Sequence, residues 1–122
     1  MRSRGSLRRS FACAGTGVAH ALRTQRNMRI HLAATGLTVL LATALRCGAV
    51  EWGVLLLTIG LVWATELINT AIEAVVDLVS PQEHELARIA KDTASGAVLA
   101  AAVTSVFVGA ILFGPRLWKL WE

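Results

Sequence analysis

WGVLLLTIGLVWATELINTAIEAVVDLV, residues 52–79, is one apolar-rich run with two unlike halves. Residues 52–65 hold no charged side chain, whereas residues 66–79 carry Glu66, Asn69, Glu73 and Asp77. A helix turns about 100° per residue, which gathers those four into a sector roughly 80° wide and about 16 Å long. A lipid-facing helix does not tolerate such a stripe, because each charge near the bilayer centre costs a few kcal/mol or more unless it is solvated or paired. The run therefore predicts a helix that crosses a membrane and turns a polar face toward other protein. It starts near Glu51, and Pro81 marks its end after Val79.

The rest of the chain fits that frame. The 122 residues make one domain at most. Hydrophobic residues are 55% and charged residues 16%, with mean hydropathy +0.59. A soluble domain carries about 25% charged residues, so lipid is the expected solvent for much of the surface. A first span is expected over Met28–Leu45, with Arg29 snorkelling to the headgroups. Arg46–Glu51 forms a short turn, and Trp52 anchors at the interface. Residues 82–92 form a charged connection or the start of the third helix, with Ser80 or Gln82 as its cap. A third span is expected over Thr93–Phe113, ended by Gly114-Pro115, with small residues that permit close helix packing.

Residues 1–10 read as a basic tail. Residues 11–27 read as an interfacial amphipathic helix on the spacing of Phe11, Ala14, Val18 and Leu22. Residues 28–114 hold the three spans, and residues 115–122 form an interfacial tail. The expected fold is all-α: three transmembrane helices plus an N-terminal surface helix.

The formal charge of +4 is unevenly placed, for residues 1–31 carry seven arginines and no acid. Because the basic run leads straight into apolar segments, anionic lipids are the expected partner and nucleic acid is not. The positive-inside rule puts the N-terminus and residues 66–92 in or facing the cytoplasm. Cys13 and Cys47 are too few for a disulfide framework and are not expected to pair.

The acids on the second span lack an embedded base, an imbalance that a metal ion and phosphates would resolve. Carboxylates suit Mg²⁺, which takes its remaining ligands from water and substrate phosphates. Lys91 supplies a point charge for phosphate. These are parts of a phosphoryl-transfer site, although spacing alone assigns no role to any one residue. Neither GxxxxGK[ST] nor the protein-kinase glycine loop is present. A structural polar network between helices is the competing reading of the stripe. His31 and His84 read as interfacial or hydrogen-bonding residues rather than ligands.

With ELINTAIEAVVDLV at 66–79, Pro81, His84-Glu85-Leu86, Ala90-Lys91-Asp92 and the block Arg26-Asn27-Met28-Arg29-Ile30-His31, the sequence resembles the small prokaryotic diacylglycerol kinase and undecaprenol kinase family. The resemblance covers about residues 11–113. It implies a homotrimer in the bacterial inner membrane, with sites between protomers, MgATP entering from the cytoplasm and a lipid alcohol approaching from the bilayer. It implies Glu66 as general base, Glu73 as the main magnesium ligand, and Asn69 and Lys91 as phosphate contacts. Asp92 would position Lys91, and Asp77 would lie on the nucleotide side. The family usually has a metal-holding glutamate where this chain has Gln25, an amide that coordinates magnesium without bringing charge. Glu83 and Glu85 are candidates to compensate. The RNMRIHL and EWGVLLLTIGLV blocks favour undecaprenol as substrate over diacylglycerol. A non-catalytic assembly or lipid-binding protein, and a small ion transporter, are the readings from other classes.

Overall fold

The computed structural model describes residues 6–122, which form four helices: α1 (Leu7–Thr24), α2 (Arg26–Ala44), α3 (Ala49–Val79) and α4 (Glu85–Trp121). The expected all-α architecture is present. Residues 1–5 of the basic tail lie outside the described residues.

Several boundaries differ from the expected ones. Helix begins at Leu7, so residues 7–10 belong to α1 and not to a tail. The break between α1 and α2 falls at Gln25, not after Asn27. Its backbone is extended there (φ −109°, ψ 116°), while its N–H still caps α1 by donating to Ala21 O at 2.8 Å. Arg29 has partners on the neighbouring helix. It reaches back from α2 and donates to the carbonyls of Leu22 and Arg23, at 3.3 and 3.1 Å. A guanidinium at the negative end of α1 satisfies orphan carbonyls and complements the helix dipole.

The α2–α3 turn is a Schellman motif. Cys47 N–H donates to Ala42 O and Arg46 N–H to Thr43 O, with Arg46 in the left-handed region at φ 55°. Glu51 Oε1 then accepts the N–H of Gly48 at 3.1 Å, closing the start of α3. At the other end of α3 the chain leaves the helix at Ser80, before Pro81, as expected. The cap of α4 is neither Ser80 nor Gln82 but His84, whose Nδ1 accepts from Leu86 N–H at 3.0 Å.

Gly114-Pro115 does not end the third long helix, which continues to Trp121 with Pro115 inside it. Arg116 explains why. Its guanidinium donates to both carboxylate oxygens of Glu51 and, at 2.9 Å, to Leu45 O. This ties the last turns of α4 to the α2–α3 turn and offsets the hydrogen bond that proline removes.

α3 and α4 form the most extensive pair, α2 packs on α3, and α1 touches both α2 and α3. The apolar core of Ala42, Leu55 and Phe113 lies at the Arg116 end. Outward faces are apolar, with Leu57, Leu61, Leu99, Val106 and Ile111 exposed. By length and composition α3 and α4 are the two helices able to cross a membrane among the described residues. α2 is shorter, at 19 residues, and its first turns carry Arg26, Arg29 and His31.

Candidate active site

The four polar residues of α3 run from the interior to solvent. Glu66 is 1% exposed and Asn69 7%, Glu73 is half-buried, and Asp77 is exposed. The helical register predicted this shared face, and packing against α2 and α4 supplies the gradient along it. Asn69 Nδ2 lies 3.3 Å from Glu73 Oε1, leaving Asn69 Oδ1 buried without a partner. Glu66 Oε2 is buried and unpartnered too. Orphaned buried acceptors are rare because each costs about 1–3 kcal/mol, and they commonly mark a functional site.

At the solvent end, Lys91 Nζ on α4 donates to Asp77 Oδ1 at 2.5 Å. Asp77, not Asp92, is thus the residue that holds Lys91. Asp92 instead faces Arg88 one turn away on its own helix, at 4.0 Å. Both ends of the Asp92–Arg88 pair are largely exposed, and such pairs contribute little to stability. Asp77, His84, Arg88, Lys91 and Asp92 line an open cavity of about 530 Å³ over the α3–α4 turn. Glu83 and Glu85 line the same cavity. Gln25 lies at the α1–α2 corner, half-buried.

Sequence reasoning missed His31. Its Nε2 lies 3.5 Å from Glu66 Oε2, bringing an imidazole from α2 onto the most deeply buried carboxylate of α3. The helical pattern of α3 carries no signal for this contact, which depends on how α2 is rotated against it.

Among the described residues no three His, Cys, Asp or Glu side chains converge as a ready-made metal site. Magnesium bound with nucleotide needs only one or two protein carboxylates. Glu73, beside the unpartnered Asn69 Oδ1, fits that partial donor set.

The sequence profile of the prokaryotic diacylglycerol kinase family matches residues 12–113. The chain is 40% identical to an undecaprenol kinase of Bacillus subtilis over 109 residues, 89% of each chain. It is 51% identical to a diacylglycerol kinase of Synechocystis over 113 residues, 91% of this chain and 64% of that one. It is 41% identical to a diacylglycerol kinase of Escherichia coli over 88 residues, 69% of each.

Proposed function

Because the chain belongs to the prokaryotic diacylglycerol kinase family and is a lipid kinase, we propose that it moves the γ-phosphate of ATP onto undecaprenol at the cytoplasmic face of a bacterial inner membrane. The observation that carries this reading is the graded stripe on α3, which starts at a buried Glu66 and ends at the Lys91–Asp77 pair.

The stripe separates the two substrates by their chemistry. A lipid hydroxyl meets Glu66 at the apolar end, and the charged nucleotide meets Lys91 and Asp77 at the wet end. Glu66 accepts the proton of the primary alcohol as its oxygen bonds the γ-phosphorus and the bond to ADP breaks. Lys91 and the Asn69 amide hold phosphate oxygens as charge develops on them. Glu73 and Gln25 would hold Mg²⁺, which when bound neutralises phosphate charge. Asp92 shares the nucleotide cavity with Lys91.

In this reading α2, α3 and α4 all span, α1 lies on the surface among anionic headgroups, and three copies assemble with sites between neighbours. The outward Leu7 and Phe11 of α1 are suited to enter the lipid interface.

Diacylglycerol is the second reading, favoured by the 51% identity to the Synechocystis protein. The RNMRIHL and EWGVLLLTIGLV blocks, with the 40% identity to the Bacillus undecaprenol kinase, favour undecaprenol. Transfer of labelled phosphate from ATP in mixed micelles, with each lipid supplied separately and with or without Mg²⁺, tests the reading. Transfer to undecaprenol is expected. A preference for diacylglycerol moves the role to lipid recycling, and transfer to neither by folded protein rejects kinase activity toward both.

A further inference from the structure

His31 Nε2 and Glu66 Oε2 are two buried atoms, each missing a partner, turned toward one another, although the His31 ring as a whole is only partly buried. Glu66 Oε2 has no hydrogen-bond donor and His31 Nε2 has neither donor nor acceptor, yet they stand 3.5 Å apart. An ionised carboxylate can only accept. With Glu66 ionised, as a base must be, a proton on Nε2 satisfies both atoms, and closing the gap by about half an ångström brings them to ordinary hydrogen-bond distance. Such bonds are often long before substrate binds and tighten in the reacting complex.

The backbone that carries the imidazole is pinned to α3. The His31 carbonyl accepts from Thr35 Oγ1 at 2.7 Å, and Thr35 Oγ1 accepts from Trp63 Nε1 at 2.8 Å. Trp63 sits on α3 within one turn of Glu66, so α2 and α3 are locked together right beside the pair. His31 also lines a small cavity of about 110 Å³ with Thr38, Thr58 and Ser105, and Glu66 is not among its lining residues.

We propose that His31 is a positioning residue for Glu66. Its Nε2–H binds Oε2, keeps the carboxylate in one rotamer, and leaves Oε1 as the oxygen that takes the lipid hydroxyl proton. Binding at Oε2 persists after Oε1 is protonated, so the imidazole itself need not change its proton count. The inference rests on the reading of Glu66 as base.

The test uses the full-length chain in mixed micelles with ATP, Mg²⁺ and undecaprenol. His31→Leu keeps an apolar side chain of comparable size but removes the donor. It should lower kcat by about 10- to 100-fold, as loss of a group that acts through the base would, with KM for ATP and lipid within about twofold. His31→Gln restores an N–H of similar reach and should recover most of kcat. Full kcat in His31→Leu, or no recovery in His31→Gln, overturns the proposal. If His31→Leu does not fold, histidine-selective ¹⁵N spectra decide. The His31 ring signals should show Nε2 protonated in the parent chain and should shift in Glu66→Gln; signals that do not move overturn it. An inactive Glu66→Gln beside a fully active His31→Leu sinks this inference alone, whereas a fully active Glu66→Gln sinks the base reading itself.

Discussion

Lys91 Nζ and Asp77 Oδ1, 2.5 Å apart, join α3 to α4 across the Pro81 turn. The pair gives Lys91 a fixed place at the mouth of the open cavity, and Glu73 lies within electrostatic reach of the same ammonium. Lys91→Met should lower kcat/KM for ATP by about 100-fold, the scale of losing one charge stabiliser of a phosphoryl transfer. Asp77→Asn leaves the ammonium present but loosely held and should cost about tenfold, mostly in KM for ATP. Steady-state rates against ATP at saturating lipid check both.

Glu66→Gln separates stability from turnover. The buried carboxylate carries a desolvation penalty that an amide of the same shape avoids. The variant should melt no lower than the parent in the same detergent, while turnover falls by about 100- to 10,000-fold with loss of the base. Parallel melting curves and phosphate-transfer assays measure both quantities.

Gln25→Glu adds a charge at the corner between α1 and α2. If this position reaches the metal, the Mg²⁺ concentration giving half-maximal rate should fall several-fold, with little change at saturating Mg²⁺. A magnesium titration of the two proteins reads this directly, and identical curves remove Gln25 from the metal site.

Arg46 occupies the left-handed position of the Schellman turn at φ 55°, where a side chain is strained and glycine is not. Relief of a left-handed penalty of about 1–2 kcal/mol, less about 0.5–1 kcal/mol for the greater chain freedom of glycine, should make Arg46→Gly more stable by about 0.5–1 kcal/mol, seen as a higher melting temperature with unchanged turnover.

How much of this was legible in the sequence depended on whether a feature is local. The face shared by Glu66, Asn69, Glu73 and Asp77 follows from helical register alone and was legible in full. The end of α3 before Pro81 was legible for the same reason. The run of α4 through Pro115 was not, because it depends on Arg116 reaching Glu51 and Leu45, 65 and 71 residues earlier. The break at Gln25 was displaced because nothing in TQRN disfavours helix; the extended backbone there follows from α1 folding back on α2 and α3. His84 as a cap was missed because histidine is an uncommon one. His31 against Glu66 required the packing angle of two helices, which periodicity does not encode.

The small core of Ala42, Leu55 and Phe113, with the Arg116–Glu51 tie beside it, lies at the end of α3 remote from Lys91. Glu51 and Asp77 are separated by about 39 Å along that helix. α3 and α4 are thus fastened at both ends, by the core and the Arg116–Glu51 tie at one and by the Pro81 turn with the Lys91–Asp77 pair at the other. The two fastenings share no side chain, so the effects of damaging them should add. Arg116→Met should lower the melting temperature by several degrees, and Lys91→Met should cut turnover, each by the same factor whether made alone or together.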